Sequence, residues 1–204
     1  MASPRRIGAP EAKNRIVLID AAERLMLEEG YSAVSSRRVA AKAGLKPQLV
    51  HYYFRTMDDL FLAVFRRRAE EGLEQQARAL RTEQPLWALW RFSTDRTAAA
   101  LTMEFTSLAN QRKAIRAEMA HYSDRFRAAQ VEAVSAILDR HGISQEEFPA
   151  AVLVVVLTSV SRVVMLEDAL GFTTGHAETL AFVERYIRGI EGDPRPLKMD
   201  SVGA

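Results

Sequence analysis

The amino-acid sequence predicts an all-α chain of about nine helices. Three observations carry that expectation. Strand-like alternation is nearly absent, apolar residues recur at spacings of three and four along most of the chain, and glycines and prolines stand where the periodic runs stop. Of the 204 residues 48% are apolar, enough for a packed core.

The first helix is read over Ile16–Glu29, where Ile16, Ile19, Ala22, Leu25 and Met26 share one face and Gly30 ends the run. Ser35 caps a short second helix that stops at Ala43 before Gly44, with Val34 and Val39 placed as a hydrophobic staple. Pro47 suits the first position of a third helix ending near Phe54. Thr56 caps a long fourth helix reaching about Leu80, with Asp58 and Asp59 complementing the dipole in its first turn. Pro85 opens a fifth helix to about Thr94; a sixth runs from Asp95 to about Asn110 and a seventh from about Arg112 to His141, before Gly142. A closing pair covers Ser144 or Gln145 to Gly171, then Thr174 to about Glu191. The tail 193–204 holds Pro194 and Pro196 and is expected to be disordered.

Charge divides unevenly along the chain. Residues 1–57 hold 10 Lys/Arg against 5 Asp/Glu, whereas 58–204 hold 18 against 21. The positive excess at the front points to an anionic partner there. With no cysteine, a disulfide framework, a thiolate nucleophile and Cys-based metal sites are excluded. Met1–Pro10 carries Arg5 and Arg6 with no apolar stretch behind them, so no secretory signal is expected. The most apolar segment, Ala150–Leu166, is interrupted by Thr158, Ser159, Ser161 and Arg162, and a bilayer span wants about 20 predominantly apolar residues. The expectation is a helix buried on most of its faces, in a cytoplasmic protein with no membrane partner.

The segment between Ser35 and Arg55 has the makings of a helix-turn-helix. Ala40 and Ala43 are small enough for close helix packing, Gly44 accepts a positive φ in the turn, and Leu45 drops an apolar anchor into the junction. On the third helix Val50, Tyr53 and Phe54 fall on the core side, leaving Gln48, His51, Tyr52 and Arg55 outward. That outward set suits base edges and phosphates. Arg37, Arg38, Lys42 and Lys46, with Arg5, Arg6, Lys13 and Arg15 of the arm, surround it with positive charge. The same spacing also fits an ordinary three-helix corner with a solvated basic face.

The run Leu18-Ile19-Asp20-Ala21-Ala22, then Gly30-Tyr31, Ser35, Val39-Ala40, Ala43-Gly44-Leu45, Tyr52-Tyr53-Phe54 and Leu60, resembles the N-terminal domain of TetR-type (TetR/AcrR) transcriptional regulators. The resemblance covers about residues 12–65. It implies a three-helix helix-turn-helix head (1–57), joined by a long helix to a helical ligand-binding and dimerisation body (58–192). The implied function is that of a homodimeric repressor on a palindromic DNA operator, released by a small, largely apolar effector. The residues expected to meet DNA are Ser35, Arg37, Arg38, Lys46, Pro47, Gln48, His51, Tyr52 and Arg55. Gln48 is the expected adenine reader; His51 and Tyr52 suit phosphate or thymine-methyl contacts. Two positions depart from the family pattern. Lys46 stands where Ser or Thr usually caps the recognition helix, and Met57 where a phosphate-binding lysine is usual, with Arg55 the nearest substitute.

In the body, Trp87, Trp90, Met103, Phe105, Tyr122 and Phe126 are the expected effector lining, although each also reads as plain core. Arg162 interrupts an apolar helix, where an unpaired charge is expensive. It is expected to pair with Glu104, Glu167 or Asp168, to span a dimer seam, or to await an acidic ligand. Val152, Val155, Val156, Ser159, Val160, Val163 and Val164, with the stripe Leu180, Val183, Ile187 and Ile190, are read as a four-helix dimer seam. His51, His121, His141 and His176 show no metal spacing, and no Gly-x-Ser-x-Gly, Walker or dinucleotide fingerprint occurs. No enzyme, cofactor or metal is expected. The rival reading is a helical small-molecule or lipid-binding module without sequence-specific DNA binding.

Overall fold

The computed structural model describes residues 12–146 and 148–195. Arg5 and Arg6 of the arm, and 196–204 of the expected tail, lie outside the described residues. Among the described residues there are nine α-helices: α1 Lys13–Glu29, α2 Ser36–Ala43, α3 Pro47–Tyr53, α4 Met57–Leu80, α5 Pro85–Ser93, α6 Arg96–Gln111, α7 Lys113–Arg140, α8 Ala150–Ala169 and α9 His176–Glu191. A single 3-10 turn, Tyr31–Ala33, joins α1 to α2. They form two compact units, Met1–Leu73 with Arg96–Arg125, and Glu74–Asp95 with Phe126–Ala204. The chain therefore passes between units three times: inside α4, between α5 and α6, and inside α7.

The first unit is built around α1. Leu18, Ala22, Leu25 and Met26 pack with Val39 and Ala40 of α2, Val50 of α3, Leu60 and Val64 of α4, and Phe105 and Leu108 of α6. α1 starts three residues before its apolar periodicity because the polar Lys13, Asn14 and Arg15 extend the same helix. Thr56 and Asp59 cap α4 reciprocally, the Asp59 N–H donating to Thr56 Oγ1 (3.1 Å) and the Thr56 N–H to Asp59 Oδ2 (3.0 Å). Ion pairs then fasten α4 on both sides. Arg67 and Arg68 share Glu23 of α1, each at 2.7 Å, and Arg66 holds Glu118 of α7 with two hydrogen bonds of 2.5 and 3.0 Å. The Glu118 carboxyl is held below the usual carboxylate range by its hydrogen bond from Arg66.

In the second unit the end of α9 clamps the start of α5. Glu191 accepts from the N–H groups of Leu86 (2.8 Å) and Trp87 (3.1 Å), which are open donors in the first turn of α5. Burial nevertheless pushes the Glu191 carboxyl up, against those two bonds. Trp87 Nε1 donates to the Gly192 carbonyl (2.9 Å). The first residues of the expected tail are held as well: Gln84 Nε2 donates to the Asp193 carbonyl (2.8 Å), and the Arg195 N–H donates to Gln84 Oε1 (2.7 Å).

Four sequence expectations change here. α8 begins at Ala150, not at Ser144 or Gln145, because Pro149 disfavours helix in the residue before it and itself serves as the extended N-cap. α9 begins at His176 rather than Thr174, because Gly175 takes a left-handed φ of 83°. α8 is not buried on most of its faces: Val152 (56% exposed), Val155, Val156, Val163 and Leu166 lie open. With 20 residues it is long and apolar enough to cross a membrane. However, its opposite side, carrying Leu153, Val154, Leu157, Thr158, Ser161 and Val164, is buried within the unit. The α9 stripe assigned to a seam also packs inside its own unit, with Val183 and Ile187 buried and Leu180 and Ile190 against the same core. The large apolar group that α9 leaves exposed is Phe182 (63%).

Candidate nucleic-acid interface

α2 and α3 are short helices whose ends are fixed by local chemistry. Ser35 Oγ accepts from the Arg38 N–H (3.4 Å) at the start of α2. At its end Gly44 adopts the left-handed conformation (φ 66°, ψ 27°), and the Leu45 N–H returns to the Ala40 carbonyl (2.9 Å). Leu45, Leu49 and Tyr53 pack partly against the core, and Val50 and Phe54 are fully inside it. Burying that side of α3 fixes what the other side presents.

The other side is solvent-facing. Gln48, His51, Tyr52 and Arg55 are exposed and line one shallow concavity of about 410 Å³. Tyr52 is braced edge-to-face against Tyr53, with ring centroids 4.9 Å apart. The site thus offers an amide, an imidazole, a phenol and a guanidinium side by side. These are donors and acceptors suited to base edges and phosphate oxygens.

The cations around it are of two kinds. Arg38 pairs with Glu29 and Lys42 with Glu28, each at 2.5 Å, tying α2 to the end of α1. Arg37, Lys46 and Arg55 are exposed and make no ion pair among the described residues. Lys46 is the N-cap of α3 without a side-chain cap bond, and Pro47 at the first helical position has no N–H to satisfy. Arg15 lies 5.3 Å from the centroid of the Phe54 ring. The pairing of Arg38 and Lys42 with α1 was missed in the sequence; the adjacent Glu28 and Glu29 were its visible signal.

The residues expected to line an effector site fall into two groups. Phe105 and Tyr122 are buried in the first unit, both edge-to-face with Phe65, and half-buried Met103 is on α6 in that unit. Trp87 and Trp90 are buried in the core of the second unit, where Phe126 stacks on Phe92 at 6.3 Å. Arg162 is exposed on α8 of that unit. It is not paired with Glu104, whose carboxylate accepts from the Tyr31 N–H (2.6 Å), nor with Glu167, which meets His176 (2.7 Å). The desolvation penalty that suggested a buried ion pair does not arise for an exposed guanidinium. Two buried amides went unnoticed in the sequence: Gln130 Nε2 donates to Gln76 Oε1 (2.6 Å), and Gln76 Nε2 to the Phe126 carbonyl (3.2 Å).

Residues 18–64 match the model of bacterial regulatory proteins of the tetR family. The HTH-type transcriptional regulator BetI of Brucella anthropi is 33% identical over 113 residues, 55% of this chain and 54% of that protein. The match thus spans about half the length of this curated relative. Among solved structures, a TetR transcription regulator from Haloarcula marismortui superposes with a TM-score of 0.72 at 18% identity, covering 87% of this chain and 97% of that one. A transcriptional regulator from Saccharomonospora viridis in complex with choline gives 0.70 at 17% identity, covering 85% and 95%. At these identities the likeness establishes a shared fold.

Proposed function

We propose, from the likeness of its head to tetR-family regulatory proteins, that this chain works as a dimeric, ligand-responsive repressor. It binds a palindromic DNA operator in the cytoplasm and is released by a small, largely apolar effector. The observation that carries the reading is the open side of α3, where Gln48, His51, Tyr52 and Arg55 present hydrogen-bonding groups while Val50 and Phe54 anchor the helix from behind. Direct readout assigns Gln48 to an adenine edge, and the unpaired Arg37, Lys46 and Arg55 to phosphates.

Pairing of two copies draws support from α8. Its open apolar side, with Phe182 of α9, is a surface that water favours covering, and a two-fold axis covers it with itself. An effector response draws support from the first unit. There α4 is ion-paired both to α1 and to α7, and Glu104 of α6 holds the backbone just ahead of α2, so movement of α6 or α7 reaches the head directly. A small molecule has precedent in the fold, since the Saccharomonospora viridis neighbour holds choline.

The test is selection of duplexes from a random pool by the purified full chain. The expected result is an inverted repeat with half-sites about 34 Å apart or a multiple of that. Failure to enrich any sequence over bulk duplex sinks the repressor reading and leaves the ligand-binding module.

A further inference from the structure

Most half-buried arginines of this chain face a carboxylate: Arg67 and Arg68 face Glu23, and Arg112 faces Asp58. Arg127 of α7 does not. Its Nη1 donates to Thr158 Oγ1 (3.2 Å), a hydroxyl whose own proton is used on the Val154 carbonyl (2.8 Å). One helical turn beyond Thr158, on the same side of α8, stands Arg162. Burial and the positive charge of Arg162 together depress the Arg127 pKa. No carboxylate pairs with either guanidinium among the described residues. The two guanidiniums are thus near enough for Arg127 to feel the charge of Arg162.

An oxyanion would complete this arrangement. Planar guanidiniums match carboxylate and phosphate oxygens in pairs, and charge-assisted bonds of this kind are about twice as strong as neutral ones. The hydroxyl of Thr158 keeps Arg127 oriented toward α8. Arg162 is exposed at the edge of the open apolar stripe of α8. We propose that Arg127 and Arg162, with Thr158 orienting Arg127, form an oxyanion site that takes the carboxylate or phosphate headgroup of a small molecule. What the bound ligand does rests on the effector reading above; its anionic character rests on the two guanidiniums.

The experiment titrates the full-length chain calorimetrically with octanoate, with its neutral counterpart octanamide, and with inorganic phosphate. Octanoate is expected to bind at least about tenfold more tightly than octanamide, the scale of a charge-assisted pair. Arg162→Gln and Arg127→Gln should each abolish that preference, and Arg162→Lys should restore part of it. An unchanged thermal midpoint for Arg162→Gln establishes that the exposed substitution leaves the fold intact. Equal binding of octanoate and octanamide, together with no phosphate binding that depends on Arg162, overturns the site. So does a loss of self-association in Arg162→Gln without any octanoate preference in the parent chain, since the anion would then be a carboxylate of the second copy. Octanoate that binds through Arg162 but leaves affinity for the selected duplex unchanged upholds the site and refutes the effector reading alone.

Discussion

Two helices of this chain, α3 and α8, each bury one side and leave the other open, and their open sides are chemical opposites. Inward, both follow the same rule: Val50 of α3 and Leu153, Val154 and Leu157 of α8 are packed out of water. Outward, α3 shows Gln48, His51, Tyr52 and Arg55, whereas α8 shows Val152, Val155, Val156, Val163 and Leu166. The buried side therefore says which fold is built, and the open side says what it meets. Groups that exchange water for other hydrogen-bonding groups fit a duplex. Aliphatic side chains gain only by excluding water, which another apolar surface provides.

That contrast can be broken most severely on α8. Val155→Asp with Val163→Asp should abolish self-association by sedimentation and lower affinity for the selected duplex by about 100-fold or more. Each buried valine is worth about 1.5–3 kcal/mol, and lone charges add a desolvation cost. Unchanged self-association would remove α8 as the seam. On α3, Gln48→Ala should relax preference at one base position per half-site by about 1–3 kcal/mol when the selection is repeated, with the fold unaltered.

A change inside the second unit separates stability from reading. Glu191→Ala leaves the Leu86 and Trp87 N–H groups without their acceptor and should cost about 1 kcal/mol in denaturant unfolding. Well below the midpoint, the duplex preference of that variant should match the parent. Lys46→Ala has the smallest expected effect. It should weaken all duplexes alike and reduce the slope of log affinity against log salt by about 1. A sequence-dependent effect would place Lys46 at a base edge.

The elements that the sequence made legible are those with local causes. Gly30, Gly44 and Gly142 end helices by their own backbone freedom, and Ser35 and Thr56 cap from one turn away. The facing of α3 was equally legible, because a seven-residue helix with Val50 inside has little choice about Gln48 and Arg55. What escaped is what depends on distant partners. Whether an apolar residue of α8 or α9 meets its own unit or nothing at all depends on which neighbour arrives, so Val183 and Ile187 read the same as Val152 and Phe182. Arg162 looked expensive only because its helix is apolar on average; its exposure is a property of one edge of α8. Glu104 and Glu191 act on Tyr31 and Leu86, 73 and 105 positions away, beyond the reach of any local pattern.

The most direct measurement is the stoichiometry and affinity of the purified chain on the selected duplex, compared with a duplex carrying only one half-site. Two chains on the full repeat are expected, bound at least about 100-fold more tightly than on the half-site, because the second head engages as a tethered partner. A single chain per duplex, or equal affinity for the full repeat, the half-site and an unrelated sequence, would contradict the account of α3 as one of a matched pair of readers.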